Sequence, residues 1–185
     1  MSVISTNPSA VAARRDAYDA SLRGRRFIAT NLINTPIALP TALLATTPTL
    51  MLRLSGASRR VVFRSIIISL TSVGGGDQLR TIVVPDTTDR WVSGGTLHPP
   101  YSMNEESSVA SAVTGFYSNP TASAAGAGVR LGTHMASLNS VGLPFGINYG
   151  DGFILGKTSS LLFYVFTTTT PAANAFFTAE WDEVE

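Results

Sequence analysis

After Gly24 the sequence consists of short apolar runs separated by turns rich in Gly, Pro, Asn and Thr. Such runs are typical of β-strands, because a strand crosses a domain in few residues and then needs a turn. Apart from residues 107–117, no apolar spacing in this part is helical. The pattern therefore predicts an all-β domain, an antiparallel β-sandwich or jelly roll. The predicted strands are 26–33, 49–55, 60–72, 78–84, 129–137, 152–156, 159–168 and 174–184.

Two segments between strong strand runs carry turn residues. They are VGGGD (73–77) and TTPAAN (169–174). Glycine supplies the positive φ that tight hairpin turns need, and proline and asparagine favour turns. Each segment therefore predicts a hairpin between the strands on either side of it.

The chain has 185 residues, which is the size of one domain with a short extension. We predict an N-terminal arm of residues 1–26 and a single β domain of residues 27–185. The region 85–128 is long and irregular, so we predict it as an insertion in that domain. Such a segment is either functional or a contact element.

The arm is predicted to contain a short helix. Asn7 is a favoured N-cap, Pro8 a favoured first helical residue, and Gly24 stands where a terminating glycine belongs. A helix of this length with three sizeable apolar anchors is marginal alone, so we expect it to bind a partner. The residues predicted to make that contact are Val11, Arg14, Arg15, Tyr18, Leu22, Arg23, Arg25 and Arg26.

Charge is distributed unevenly along the chain. Residues 1–64 contain nine Arg and two Asp, a net charge of +7, whereas residues 65–185 contain four basic and ten acidic residues, a net charge of −6. The early excess of Arg indicates either biased codon usage or an acidic partner, which is a protein surface or nucleic acid. The final residues EWDEVE are interpreted as a solvated acidic tail.

Two strand runs are apolar on both faces. They are LLFYVF (161–166) and VVFRSIIISL (61–70), in which Arg64 and Ser65 are the main interruptions. A strand with a solvated outer face normally alternates between apolar and polar residues. The outer face is thus covered, either by the chain's own long loops or by another subunit, and we favour a subunit interface. The predicted interface residues are Ile66, Ile68, Leu162, Tyr164 and Phe166.

The irregular region contains aromatic residues that either pin it to a sheet or hold a ligand. We select Trp91, Tyr101 and Tyr117 as its contact residues. Aromatic side chains bury a large area and often keep one polar group exposed, so they serve both roles.

The sequence contains no convincing catalytic or cofactor motif. GDGFILGKTS (150–159) resembles a phosphate-binding P-loop, but its glycine spacing is off by one residue and a strand run follows. We therefore predict a turn at Gly156 and Lys157. The chain has no Cys, and its two His, His98 and His134, stand in no ligand motif.

Other functional classes are also disfavoured. The acidic residues of the region 85–128 have no EF-hand spacing, and no G-x-S-x-G motif occurs. We predict that the protein is not an enzyme and has no catalytic residue, cofactor, metal or small-molecule substrate. Few aromatic residues lie among the arginines, so nucleic-acid binding is not favoured. The most apolar segment, 36–54, contains three prolines, so we expect no membrane-spanning helix, and no signal peptide is expected in the first 25 residues.

The last part of the sequence, about residues 140–185, resembles the ending of small jelly-roll virion proteins of tailed bacteriophages. Those proteins often end with a glycine-led turn, an apolar strand, a short turn and a strand that closes on an acid–Trp–acid group. The matching residues here are Gly156, Ser160, Leu161, Leu162, Phe163, Phe177, Glu180, Trp181, Asp182 and Glu183.

This resemblance implies a jelly-roll cement or decoration protein, a structural protein on the exterior of an icosahedral capsid. Such a protein is often a homotrimer that clamps neighbouring major capsid proteins, here through the arm of residues 1–26. It is made in the host cytoplasm and resides in the virion. Two alternatives stay open. One is a receptor- or carbohydrate-binding fibre or spike head that uses the loop from Trp91 to Tyr117. The other is a small jelly-roll shell protein whose arm faces the genome.

Overall fold

A computed structural model of the chain describes residues 23–31, 35–72, 78–123, 132–137, 144–167 and 173–185. Within these ranges the chain forms β-strands and no helix. This part of the chain accordingly has no helix that could cross a membrane. The strands are β1 (Arg26–Thr30), β2 (Ile37–Ala38), β3 (Leu50–Leu54), β4 (Arg60–Ser72), β5 (Gln78–Asp86), β6 (Trp91–Ser93), β7 (Thr96–Leu97), β8 (Tyr101–Ser102), β9 (Gly115–Ser118), β10 (Thr121–Ala122), β11 (Gly132–Ser137), β12 (Pro144–Leu155), β13 (Ser159–Thr167) and β14 (Asn174–Val184).

The strands form two antiparallel six-stranded sheets and one separate pair. The strand order of the first sheet is β12, β4, β14, β1 and β8, and β2 also pairs with β14. The order of the second sheet is β11, β5, β13, β3, β9 and β7, while β6 pairs with β10. The all-β, antiparallel part of the fold prediction is confirmed.

Eight of the strands pair in a nested order. β1 pairs with β14, β3 with β13, β4 with β12, and β5 with β11, all of them antiparallel. Strands from the first half of the domain therefore pair with strands from the second half in reverse order along the chain. The chain turns back between Asp86 and Gly132, and β6 and β10 pair within that segment.

The inner faces of the two sheets share one apolar core. The ring of Phe63 in the first sheet has its centroid 5.4 Å from that of Phe163 in the second sheet. Phe116 of β9 stacks on Phe177 and Trp181 of β14, with centroid distances of 5.1 and 6.2 Å. These aromatic contacts hold the sheets face to face, because each ring removes a large apolar area from water.

The outer face of the second sheet is covered by the chain's own segments. Leu162, Tyr164 and Phe166 lie on this face and are buried in a second apolar cluster, against which Trp91 packs. The hydroxyl of Tyr164 donates a hydrogen bond of 3.0 Å to the carbonyl of Ala45. The prediction that these three β13 residues form a subunit interface is therefore wrong, because loops of the same chain bury them.

The predicted interface residues of β4 are also placed differently. Ile66 and Ile68 belong to the core between the sheets. Phe63 and Ser65 pair with consecutive residues of β14, so Arg64 is an extra residue, a β-bulge that shifts the alternation of side chains. The prediction for Ile66 and Ile68 is wrong, and the apolar residue that reaches the outer face is Ile67, which is 41% exposed.

Each of the eight predicted strand runs contains a strand, although the ends differ. The largest difference is at 152–156, which is only the end of β12, since that strand begins at Pro144. The two predicted hairpins are wrong, because β4 and β5 lie in different sheets, and so do β13 and β14. The connecting segments themselves lie mostly outside the described residues. Residues 107–117 contain no helix and lead into β9.

Residues 1–22 lie outside the described part of the chain, so the helix of the arm stays a prediction. Arg23 is exposed, and Gly24 has a φ of +63° just before β1 begins. The arm residues that lie outside the described ranges are Val11, Arg14, Arg15, Tyr18 and Leu22.

Candidate functional site

Two arginines that we assigned to the arm belong to the folded domain. Arg26 is the first residue of β1, and its Nη2 donates to Oε2 of Glu180 at 3.1 Å. Arg25 donates through Nη2 to Oε1 of Glu185 at 2.7 Å. Both side chains are therefore engaged with carboxylates of their own chain. The folded domain therefore begins before the boundary at residue 26 that we predicted for the arm.

The bulge at Arg64 brings a second arginine to the same face of the first sheet. Arg64 donates through Nε to Oδ2 of Asp182 at 2.7 Å. Nε of Arg26 lies 4.0 Å from the other carboxylate oxygen of Asp182. The carboxylate of Asp182 is almost fully buried between the two guanidinium groups. A bulge that turns a side chain towards a partner in this way is a common use of the extra residue.

Glu183 is buried at the end of β14 and ties a loop to it. Its Oε2 accepts a hydrogen bond of 2.9 Å from Nη1 of Arg59. Its two oxygens also accept hydrogen bonds from the backbone N–H of Ala112, at 2.8 and 2.9 Å, and one accepts from the hydroxyl of Ser111. The interpretation of EWDEVE as a solvated tail is wrong, since Asp182 and Glu183 are structural anchors.

The uneven charge of the chain is largely balanced within the domain. Several ion pairs join an arginine of the first 64 residues to a carboxylate of the later part. Residues 1–23 then keep three Arg against two Asp, which is little net charge. The charge argument for a strongly acidic partner is thereby weakened. The pairs are Arg25–Glu185, Arg26–Glu180, Arg26–Asp182, Arg53–Asp89, Arg59–Glu183 and Arg64–Asp182.

Trp91 and Tyr117 lie together against the second sheet, where they form a platform with Arg53 and Asp89. The Trp91 and Tyr117 rings stack with centroids 5.8 Å apart. The guanidinium carbon of Arg53 lies 4.4 Å from the centroid of the Trp91 ring, which is a cation–π contact. Arg53 also donates through Nε to both carboxylate oxygens of Asp89, at 3.0 and 2.9 Å. These contacts fix the orientation of the indole ring.

The electrostatics of this platform favour the charged forms of both ionisable groups. Burial alone would raise the pKa of Asp89, but hydrogen bonds from Arg53 and from the backbone N–H of Trp91 outweigh it, so the pKa is lowered. The hydrogen bond to Asp89 raises the pKa of Arg53. Gly115 leaves space for the Tyr117 ring, because a side chain at Gly115 would overlap that ring.

Tyr101 does not belong to this platform. It lies in β8, opposite Ile28 at the edge of the first sheet, and it is 57% exposed. The segment from β7 to β8 crosses from one sheet to the other, which separates Tyr101 from Tyr117. The three aromatic residues selected from the sequence therefore form no single site.

No protein-family model, curated protein or solved structure matches this chain.

The other candidate motifs take structural positions. The prediction of a turn at Gly156 and Lys157 is confirmed, since these residues connect β12 to β13. Asp86 pairs with Arg90, with Nε 2.9 Å from Oδ2. Within the described ranges, no three His, Asp or Glu side chains lie close enough to hold a metal ion.

The outer face of the first sheet differs from that of the second, because no segment that the structure describes covers Ile67 there. The residues around Ile67 on this face are uncharged. We call this surface the open face. Sequence reasoning missed it, since the bulge that places Ile67 there is signalled only by the Arg-Ser pair inside an apolar run. The open face consists of Thr30, Ile67, Ser69, Gly146, Phe176 and Thr178.

Proposed function

We propose that the protein is a structural component of a virus particle, a jelly-roll cement protein that forms oligomers on the outside of an icosahedral capsid. The nested strand pairing carries this proposal. Among these eight strands the first pairs with the last, the second with the second last, and so on, and the pairs are divided between two sheets. Such nested pairing is typical of a jelly roll. Viral capsid proteins, lectins and cupins use this architecture.

The charged groups support a mechanical role. Asp86, Asp89 and Glu183 each accept hydrogen bonds from an arginine of the same chain, so these carboxylates brace the ends of the strands. The ion pair of Arg26 with Glu180 joins the first strand to the last, and that of Arg25 with Glu185 lies just beyond their ends. A domain braced in this way keeps its shape while its surfaces contact neighbours.

The arm supplies the grip on the capsid in this proposal. Residues 1–22 would contact neighbouring major capsid proteins, and several arms in one oligomer would make release slow even if each contact is weak. The arm's modest net charge fits a protein partner better than the genome, because phosphate binding depends on many basic residues.

Gradient-purified virus particles from the genome that encodes this chain test the proposal. Quantitative mass spectrometry should find the chain in the particle band at many copies per particle. A variant that lacks residues 1–22 should fold but stay in the soluble fraction; the deletion must stop there because Arg25 and Arg26 are part of the fold. Absence of the full-length chain from the particles would overturn the proposal.

The platform of Trp91, Tyr117, Arg53 and Asp89 favours a second candidate, a carbohydrate-binding virion head. Aromatic and charged side chains are the groups that commonly bind sugars, and here Trp91 is partly exposed while Arg53 and Tyr117 hold its ring in place. A glycan array with the wild type and Trp91→Ala tests this candidate. Specific binding that Trp91→Ala abolishes would favour it, and an array without signal would exclude it.

A further inference from the structure

The two sheets of the domain present different outer faces. Segments of the same chain bury the apolar residues on the second sheet, as Leu162 shows. The first sheet instead leaves Ile67 substantially exposed at the middle of β4, which is its second strand from the edge. Ile154 of β12 and Tyr101 of β8 are exposed on the same side of this sheet, at 65% and 57%. Several large apolar side chains exposed on one face are typical of a contact surface.

The register of the first sheet shows what surrounds Ile67. Thr178 of β14 and Gly146 of β12 flank it, and Thr30 of β1 follows in the same row. The next row contains Phe176 and Ser69. Every member of the open face is therefore uncharged, and the surface contains small or apolar side chains that can approach another flat surface closely.

The charged residues on this outer face lie at one end, where four of them form ion pairs. Arg26 and Arg64 face Glu180 and Asp182, two positive and two negative groups with nitrogen–oxygen distances from 2.7 to 4.0 Å. Arg60, the first residue of β4, is also exposed at that end, well away from Ile67 along the strand, so the open face itself carries no charge. A second copy, which carries the same face, meets no like-charge repulsion there.

The size of the face also matches a subunit contact. β12, β4, β14, β1 and β8 are 12, 13, 11, 5 and 2 residues long. With strands about 4.8 Å apart and about 3.3 Å of length per residue, the sheet surface is about 700 Å², within the range of about 600–1,000 Å² per partner that stable interfaces bury. The first sheet therefore has the area that association with one further copy needs.

We propose that the open face is buried against a second copy of this chain. The inference rests on the proposed function, because it identifies the surface through which the cement protein forms its oligomer. The contact would cover Ile67 and Phe176 and leave the platform around Trp91 on the opposite side of the molecule accessible.

Light scattering after size exclusion tests the inference with a matched pair of variants. Ile67→Arg places a charge in the open face, and Val92→Arg places the same charge at a site that is 55% exposed on the other side. We expect wild type and Val92→Arg to form a dimer at 100 μM protein, because a face that contacts its own copy closes with two-fold symmetry. Ile67→Arg should be a monomer, with a dissociation constant raised at least about a hundredfold, because an unpaired charge is costly in an apolar contact.

Ile67→Glu is the second variant, since loss of the oligomer with either sign of charge excludes an effect of the nearby ion pairs. Far-UV circular dichroism spectra of the variants should match the wild type, because Ile67 is exposed in the single chain and its replacement leaves the fold intact. A monomeric wild type, or an oligomer that survives both substitutions, would overturn the inference. If a monomeric wild type still binds virus particles and Ile67→Arg does not, the face contacts the capsid and only the self-association is wrong. If the oligomer forms through Ile67 but is absent from particles, the proposed function fails and this inference stands.

Discussion

Nη1 of Arg59 lies 2.9 Å from Oε2 of Glu183, a carboxylate that is fully buried at the end of the last strand. The same carboxylate accepts hydrogen bonds from the loop residues Ser111 and Ala112. One acidic side chain thus connects β14, the residue before β4 and the loop that leads into β9.

Glu183→Gln should lower the free energy of unfolding by about 3 kcal/mol, because Arg59 then keeps a charge without its buried partner. Glu185→Gln is the control, since its ion pair with Arg25 is exposed to solvent, and it should cost less than about 1 kcal/mol. Urea denaturation measures both. Equal effects of the two substitutions would contradict the anchoring role of Glu183.

Thr81 is fully buried in the core, and its hydroxyl has no hydrogen-bond partner among the residues that the structure describes. Thr81→Val keeps the shape and removes that hydroxyl, so we expect a gain of about 1 kcal/mol in the free energy of unfolding. The matched control is Thr49→Val. The Thr49 hydroxyl donates to the carbonyl of Val165 at 2.7 Å and accepts from its N–H at 3.0 Å. That substitution should therefore destabilise the protein; stabilisation by both would show that the hydrogen bonds do not matter.

Tyr149 packs against Phe63 and Phe153, and within the described ranges its hydroxyl has no hydrogen-bond partner. Burial raises the pKa of Tyr149 to about 12. Its neutral form therefore contributes stability that is complete below the unfolded pKa of about 10 and is lost between about pH 10 and pH 12. Tyr149→Phe should be neutral or stabilising at pH 8 and should lose less stability than the wild type at pH 11.

Tyr164→Phe serves as the comparison for Tyr149→Phe, because the Tyr164 hydroxyl donates to the carbonyl of Ala45. We expect Tyr164→Phe to cost about 1 kcal/mol at pH 8. Denaturant midpoints at the two pH values give both quantities. A loss of stability at pH 8 with Tyr149→Phe would mean that its hydroxyl does have a partner.

His98 should make the domain sensitive to acid. Its ring packs edge-on against Phe177, and its Nε2 lies 2.9 Å from Oγ of Ser118. Burial lowers the pKa of His98 below the ordinary value of 6.5. The neutral form therefore contributes stability that is present above pH 6.5 and is lost as the pH falls towards the lowered pKa. Thermal melts of the wild type and His98→Asn between pH 7 and pH 5 measure this; an equal acid dependence of the two would assign the effect to other groups.

Gly115→Ala should displace Tyr117 from the Trp91 stack, because the added methyl group would overlap the Tyr117 ring. The chain has two tryptophans, and Trp181 is fully buried, so quenching of fluorescence by iodide reports on Trp91. We expect more quenching in Gly115→Ala. Gly156→Ala is the control, since a methyl group there meets no neighbouring atom within 4 Å. Unchanged quenching in Gly115→Ala would mean that the stack does not depend on that glycine.

The strands of the fold could be predicted from sequence because apolar runs and turn residues are local signals. The sheet to which each strand belongs could not, since pairs such as β1 with β14 join residues far apart in the chain. The same limit explains the errors at Leu162 and Tyr164. Both faces of their strand are indeed covered, but no local pattern says whether loops such as the one that contains Ala45 or another subunit provide the cover.

The candidate sites were harder to predict than the strands. The opposite charges of the two halves of the chain are visible in the sequence, but their pairing, as in Arg64 with Asp182, depends on a bulge. The bulge also decides that Ile67 faces outwards while Ile66 and Ile68 face inwards. A prediction that assumes strict alternation along β4 therefore assigns Ile66, Ile67 and Ile68 to the wrong faces of the sheet, because of one extra residue.

The pairing of β1 with β14 has a consequence for synthesis. Arg26 and Glu180 are separated by 154 positions, so β1 leaves the ribosome long before its neighbour in the first sheet exists. Until then Phe27 and Ala29, which are destined for the core, remain uncovered or transiently bound elsewhere. Closure of the domain must therefore follow translation of its last strand.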